Sequence, residues 1–228
     1  MLLEVAKSEA DFYAPRASVG EVYEQMEKDF KKAIELLPEN DPRKGDDAGR
    51  ISIYAAHGFL GKIYLFQEKY GEAIDEFETI INSGHYELMD TMRHVYDGNH
   101  DFNSESILEF NYSELSQGKA DAYGRGTFHH RGLIHGPIEG DNWGNFYVSD
   151  HSMERFGDDP RKAESVFQIG DLVTRTSSGL KLPVRKHPAT RKWYDPEKHN
   201  TREPGYTANI IPMRLSDIYL LYAEAKNA

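Results

Sequence analysis

Apolar residues recur every three to four positions from Val19 to Leu37, which is the spacing of one face of an α-helix. Pro38 follows directly and cannot continue a helix, so the pattern predicts a helix that ends just before it. The residues on this face are Val22, Met26, Phe30, Ala33, Ile34 and Leu37.

A second helical stretch has the spacing of a paired-helix repeat. Its residues match the L-G-x-x-Y and A-x-x-x-F signature of a tetratricopeptide unit. In that unit small residues let two antiparallel helices approach closely, and large residues fill the gap between them. The matching positions, which we predict to be packing positions, are Leu60, Gly61, Tyr64, Ala73 and Phe77.

The ends of this helix pair also carry signals. Ser52 is of the residue type that caps a helix N-terminus, and we expect it to cap the first helix. Residues 67–71 are predicted to form the turn, and the second helix is predicted to end near Gly84.

A further helix is predicted from Leu215 to Asn227, and it is apolar on nearly every side. A helix of that kind is expected to be covered on several sides.

The long segment between these helices is rich in Gly, Asp, Asn, His and aromatic residues. Within it, Ser106 to Tyr112 alternates like a strand, and Met153 to Phe156 is predicted to be a short helix. The expected fold is therefore mainly α: tetratricopeptide-like helices with a long loop-rich insertion that contains short strands and helices. We expect helices over 1–84, the insertion over 85–211 and the first helix of a further repeat over 212–228. Loop-dominated segments of this length usually carry function.

Composition narrows the possible functions. The 228 residues have a formal net charge of −11 and no cysteine, which excludes disulfides and thiol chemistry. Because binding to nucleic acid needs a basic face, the acidic excess argues against a nucleic-acid partner. Residues 160–203 hold 10 basic and 5 acidic side chains, a modest local excess that we interpret as a solvated surface.

Ten histidines raise the possibility of a metal site. The densest groups are His129, His130 and His135, and His94 with His100, but neither group has the H-E-x-x-H pattern. The alternating acids and amides from Asp97 to Glu105 resemble a calcium loop, but the loop's required glycine position holds Phe102. We therefore expect no metal site and no cofactor, with an irregular calcium site as the alternative.

Enzyme motifs are absent from the sequence. There is no G-x-S-x-G nucleophile elbow, no Walker loop and no G-x-G-x-x-G after a strand. The chain is accordingly expected not to be an enzyme, although its many carboxylates leave a glycosidase pair open.

Four stretches stand out, in order along the chain: Pro15 to Pro38, Gly49 to Leu88, the Phe156-Gly157-Asp158-Asp159-Pro160-Arg161 turn, and Arg214 to Asn227. The last includes Arg214-Leu215-Ser216-Asp217 followed by an apolar helix with Ala223-Glu224-Ala225. Together they resemble the SusD/RagB family of glycan-binding outer-membrane lipoproteins.

The resemblance implies a function. Family members bind oligosaccharides or polysaccharides at the surface of the bacterial outer membrane and deliver them to a TonB-dependent, SusC-like transporter for uptake. The expected partners are thus a glycan and a SusC-like transporter. Membrane contact is expected only through a lipid anchor that this chain lacks. We also expect a signal and a lipidated cysteine to precede these residues in a full-length member, and further chain to follow them.

The resemblance also directs attention to Trp143-Gly144, since family members often place Trp-Gly shortly before the Phe…Asp-Pro-Arg stretch. Aromatic rings stack on sugar faces while amides bond hydroxyl groups. The candidate ligand-binding residues are Trp143, Tyr123, Asn142, Asn145 and Trp193. Interior packing is the alternative for both tryptophans. The alternative functions are a tetratricopeptide-type adaptor for protein interactions and, less favoured, a glycoside hydrolase.

Overall fold

The computed structural model describes residues 13, 15–39, 43, 48–112, 135–192, 194 and 209–228. Over these ranges the fold is mixed helical with a few short strands. The helices are α1 (Val19–Leu36), α2 (Ile53–Phe66), α3 (Tyr70–Ile81), α4 (Asp150–Phe156), α5 (Arg161–Ser165) and α6 (Leu215–Asn227), with short 3-10 helices at Met92–Val95 and Ile138–Gly140. The strands are β1 (Ser106–Phe110), β2 (Val166–Phe167), β3 (Leu172–Thr174), β4 (Lys181–Pro183), β5 (Ala189–Thr190) and β6 (Ile210–Arg214).

The chain divides into two compact units. The helical unit comprises Met1–Glu87, Ser106–Leu108 and Met213–Ala228. The loop-rich unit comprises Leu88–Glu105 and Glu109–Pro212.

The core of the helical unit is built around α2, which packs against α1, α3 and α6. The five residues that match the helix-pair signature are all buried, so their predicted packing role is confirmed. Gly61 explains why the helices approach so closely, because a Cβ atom added there would lie 2.5 Å from the ring of Phe77. Gly58 plays the same part toward Met213, whose sulfur would lie 2.2 Å from an added Cβ.

The helix ends only partly follow the sequence signals. At α1, Ser18 and Glu21 form a reciprocal capping box, which satisfies two backbone N–H groups of the first turn. At α2, Ser52 occupies the cap position, but its side chain makes no capping hydrogen bond. The predicted cap position is therefore confirmed, whereas the expected side-chain hydrogen bond is not formed. Ser52 is fully buried, and its hydroxyl has no hydrogen-bond partner among the residues that the structure describes.

The last helix has the predicted bounds, but only one of its sides is covered in the described structure. Leu215, Ile218 and Ala225 are buried, where α6 packs against α3 and α2. Leu220, in contrast, is 70% exposed. No helix in the described ranges is both long enough and apolar enough to cross a membrane.

The loop-rich unit contains two short antiparallel strand pairs, one of them enclosed in sequence by the other. β2 pairs with β5, and β3 pairs with β4, with Val173 opposite Leu182. The predicted strand beginning at Ser106 is observed as β1, which pairs with β6. A small apolar cluster supports the unit and consists of Phe167, Val173, Val184 and Tyr194.

The turn from Phe156 to Arg161 links α4 to α5 and is held by its own side chains. The backbone N–H of Asp159 donates to the carbonyl of Phe156 at 2.8 Å. The Asp159 carboxylate accepts the backbone N–H of Arg161 at 2.8 Å and its guanidinium Nε at 3.0 Å. Pro160 precedes α5, where a missing N–H costs nothing. This motif therefore forms a self-contained turn.

We expect Asp159 to titrate with a pKa of about 2, below the ordinary 3.8, because the Arg161 side chain and backbone hydrogen-bond its charged form. A folded pKa below the unfolded value means that the pair stabilises the turn above about pH 4 and that this contribution is lost as the pH falls toward 2. NMR titration of the Asp159 carboxyl carbon measures this pKa. Arg161→Gln should return it toward the ordinary value, and a wild-type pKa near 3.8 would contradict the prediction.

Candidate functional site

Exposed aromatic side chains are concentrated on one short segment of the loop-rich unit. Trp143, Phe146 and Tyr147 are 50%, 59% and 59% exposed. The Tyr147 ring stacks on the exposed His187 ring, with centroids 4.3 Å apart and planes 17° apart. We call Trp143, Phe146, Tyr147 and His187 the aromatic surface. Large apolar rings exposed together usually mark a binding site.

The start of this segment is held by Asp141. Asp141 has a left-handed backbone conformation, with φ 64° and ψ 28°, and ends the 3-10 helix Ile138–Gly140. Its carboxylate accepts the backbone N–H of Ser177 at 2.8 Å and the hydroxyl of Thr176 at 3.2 Å. Arg175 Nε lies 3.5 Å away. These contacts tie the segment to the β3–β4 turn.

The same contacts set the ionisation state of the Asp141 carboxyl. Burial raises the pKa of the Asp141 carboxyl, but hydrogen bonds from Ser177 and Thr176 and the positive charge of Arg175 outweigh burial and lower the pKa. Asp141 therefore stays ionised as an anchor at neutral pH.

Two further contacts hold the segment. The side-chain amide of Asn142 donates to the carbonyl of Pro137 at 3.0 Å, and Asn142 is buried. At the other end, the backbone N–H of Val148 donates to the carbonyl of Pro188 at 2.9 Å. Ser149 then caps α4 through the backbone N–H of Ser152. The aromatic side chains thus lie between two fixed ends, which limits the entropy lost when a ligand orders them.

Gly144 is required by both its conformation and its surroundings. Its φ is +60°, and a Cβ there would lie 2.4 Å from Ile138 Cγ1. Only glycine lets the backbone pass this close to Ile138 at the position that follows Trp143.

A shallow depression lies beside the aromatic surface. It has a volume of about 30 Å³ and is lined by residues that include Ile138, Gly144, Phe146, Tyr147, Lys186 and His187. This volume holds about two water molecules, too little for a sugar ring. A sugar would therefore lie on the aromatic surface rather than inside a cavity.

A larger cavity, of about 500 Å³, lies in the helical unit. Its walls are mainly apolar and include Met26, Phe30, Phe59 and Phe66. Apolar walls of this kind offer few partners for sugar hydroxyls, so this cavity is not suited to a glycan.

The five ligand-binding residues predicted from the sequence differ in where the structure places them. Trp143 and Asn145 are exposed on the segment that carries the aromatic surface. Asn142 is turned into the loop, where it bonds Pro137. Tyr123 and Trp193 lie outside the described residues. Their predicted roles, like that of Trp143, stay predictions.

Sequence reasoning did not select Phe146, Tyr147 or His187. The run from Trp143 to Tyr147 carried a signal, because three aromatic residues within five positions are unusual for a polar loop. His187 carried none, since only its stacking on Tyr147 brings it to the site.

Two family profiles match the chain. One, described as SusD-like and starch-binding, associating with outer membrane, matches residues 3–65. The other, the SusD family profile, matches residues 183–228. Among curated proteins, none matches the chain by sequence.

Several solved structures share the fold. A laminarin binding SusD-like protein is 26% identical over 92% of this chain and 50% of its own, with a TM-score of 0.75. A SusD-like protein from Bacteroides fragilis is 21% identical over 99% of this chain and 52% of its own, also at 0.75. A protein crystallised with xylogluco-oligosaccharide is 20% identical over 99% of this chain and 49% of its own, at 0.72. The chain thus spans about half the length of these proteins.

The fold is that of SusD-like proteins and comprises a helical unit and a loop-rich unit. The two SusD-type profiles at the two ends of the chain and this fold together support the SusD/RagB family.

Proposed function

We propose that this chain binds oligosaccharides on its aromatic surface and does so without catalysis. The observation that carries the proposal is the group of exposed rings at Trp143, Phe146 and Tyr147, on a segment that is anchored at both ends, with His187 stacked on Tyr147.

The chemistry of the surface suits a sugar. The apolar face of a pyranose ring packs on an aromatic face, and its hydroxyl groups need hydrogen-bond partners at the edge. Asn145, Lys186 and the His187 ring are exposed polar groups beside the rings. They supply donors and acceptors that a purely apolar protein interface would lack.

Relatives suggest which glycans to examine first. One similar structure is a laminarin binding protein, and another was crystallised with xylogluco-oligosaccharide. We therefore propose laminarin and xylogluco-oligosaccharides as the first ligands to test.

The wider role follows from family membership. We infer that the whole protein holds its glycan at the outer-membrane surface and passes it to a SusC-like, TonB-dependent transporter. The adaptor and hydrolase alternatives differ from this role in a measurable way. An adaptor for proteins would bind no glycan, and a hydrolase would cleave the glycan and release new reducing ends.

Affinity electrophoresis in gels that contain laminarin or xyloglucan tests glycan binding directly. We expect wild type to be retarded in at least one gel and to release no reducing ends over a long incubation. We expect Tyr147→Ala to weaken binding about ten-fold, which corresponds to about 1.4 kcal/mol, because it removes the ring stacked on His187.

Tyr219→Ala is the matched control, since Tyr219 is an exposed tyrosine on α6 in the helical unit. This variant should bind as wild type does. Absence of retardation across a panel of neutral and acidic glycans would reject the proposal, and release of reducing ends would favour the hydrolase.

A further inference from the structure

We propose that His94, Asp97 and His100 form a binding site for a divalent transition-metal ion, of which Zn²⁺ is the representative. A nitrogen of each imidazole and a carboxylate oxygen lie within 4.8 Å of one another. All three residues belong to the loop-rich unit, and none of them is part of the aromatic surface.

The local fold places His94. The Thr91 hydroxyl accepts the backbone N–H of His94 at 3.4 Å and starts the 3-10 helix Met92–Val95. On this helix, the Arg93 guanidinium donates to the carbonyls of Arg191 and Tyr194 at 3.2 and 3.0 Å. The helix that carries His94 is therefore pinned to a distant part of the same unit.

The Asp97 side chain is held in place by two backbone hydrogen bonds. It is only 8% exposed, and its Oδ1 accepts the backbone N–H groups of Asn99 at 2.9 Å and His100 at 3.2 Å. Gly98, with φ 70°, makes the turn that brings these N–H groups back to the carboxylate. With Oδ1 held by the backbone, Oδ2 is the oxygen placed to bind a metal.

The distances suit a metal centre. His100 Nδ1 lies 2.9 Å from Asp97 Oδ2 and 3.0 Å from Oδ1, a hydrogen-bond contact in which a bound ion would replace the shared proton. Ligand atoms bound about 2.1 Å from one ion are about 3.0–3.4 Å apart at octahedral or tetrahedral angles. The His94 and His100 rings are stacked, with centroids 4.2 Å apart and planes 25° apart, so the two imidazoles lie side by side next to the carboxylate.

The ligand types select the metal. Two imidazoles and one carboxylate suit Zn²⁺, Ni²⁺ or Cu²⁺, whereas Ca²⁺ and Mg²⁺ require a larger set of oxygen ligands. Neighbouring carboxylates are engaged elsewhere: Asp101 accepts the backbone N–H of Asn209, and Glu105 accepts that of Met89. Asp101 and Glu105 thus tie this stretch to other parts of the loop-rich unit rather than forming a calcium shell.

Three protein ligands leave positions for water on the ion. Because His100 is exposed, the ion can enter from solvent. A bound ion would join the 3-10 helix to the turn that follows it, and this would stabilise the segment that leads to β1.

Isothermal titration with ZnCl₂, on protein without a histidine tag, tests the site. We expect wild type to bind one Zn²⁺ ion at this site, and His94→Gln/His100→Gln to bind at least ten-fold more weakly there. His151→Gln, a surface histidine of α4, is the control and should keep wild-type affinity. Equal affinity in wild type and the double variant would overturn the proposal, as would Ca²⁺ binding as tightly as Zn²⁺.

A second measurement guards against misfolding of the double variant. His100→Gln alone changes an exposed side chain, so we expect its circular dichroism spectrum to match wild type. Co²⁺ added to wild type should give the visible absorption of a nitrogen-ligated ion, and this single variant should reduce it. Co²⁺ spectra that are identical in the two proteins would also overturn the proposal.

Discussion

Phe77→Ala is expected to lower the free energy of unfolding by about 3–5 kcal/mol, because truncating a fully buried ring leaves a cavity that its neighbours fill only in part. Phe77 lies on α3 at the contact with α2, and α2 also packs against α1 and α6. Urea denaturation followed by circular dichroism measures the loss.

Gly61→Ala should also destabilise the contact between α2 and α3, by adding a methyl group on α2 instead of removing the ring on α3. The new methyl group would lie 2.5 Å from one ring atom of Phe77 and 2.9 Å from another. Overpacking of a core costs about 1–3 kcal/mol, which exceeds the roughly 1 kcal/mol that alanine gains over glycine within a helix.

The double variant Gly61→Ala/Phe77→Ala provides the sharpest test of this contact. The alanine methyl at position 61 occupies space that the ring has vacated, so the double loss should be smaller than the sum of the single losses by about 0.5–3 kcal/mol. Phe66→Ala is the control, since Phe66 is 68% exposed, and it should cost little. Additive losses would show that Gly61 and Phe77 do not share one packing site.

Trp143→Ala is expected to reduce glycan affinity by ten-fold or more, the largest effect of any single change in the aromatic surface. Tryptophan offers the widest ring for a sugar face, and truncated tryptophans are prominent among residues that dominate binding energy. Its side chain is half exposed, so the thermal midpoint should change little. Titration calorimetry with the glycan that retards wild type measures the affinity.

The variant Trp143→Phe distinguishes a role of Trp143 in stacking on the sugar from a role in packing within its own loop. A smaller ring keeps part of the stacking surface, so we expect affinity between those of wild type and Trp143→Ala. Unchanged affinity in both variants would remove Trp143 from the site, and the interior-packing alternative would then apply. A large drop in the thermal midpoint of Trp143→Ala would point the same way.

Much of the helical unit could be predicted from the sequence. α6 has the predicted bounds, Leu215–Asn227, and α1 ends one residue before the predicted end. Helix periodicity is local, because residues three and four positions apart share a face whatever the rest of the chain does. Ser52 shows the limit of that rule, since it takes the predicted cap position but, fully buried, makes no capping hydrogen bond.

The loop-rich unit was less predictable. Its strands are two to five residues long, and their pairing joins positions far apart in sequence, such as Val166 with Thr190. Runs this short carry little periodic signal. The acids and amides around Asp97 illustrate the same limit. Their spacing resembled a calcium loop, yet in the structure Asp97 holds a local turn and Asp101 bonds the distant Asn209.

For the candidate site, the sequence by itself determined which residue types were available: the run from Trp143 to Tyr147, the glycine at 144 and the family motifs around them. Only the tertiary structure decided that Tyr147 stacks on His187, that Asn142 faces the loop interior and that Asp141 anchors the segment through Thr176 and Ser177. The physical reason is that a binding surface depends on contacts between distant segments. Local periodicity describes only neighbours along the chain.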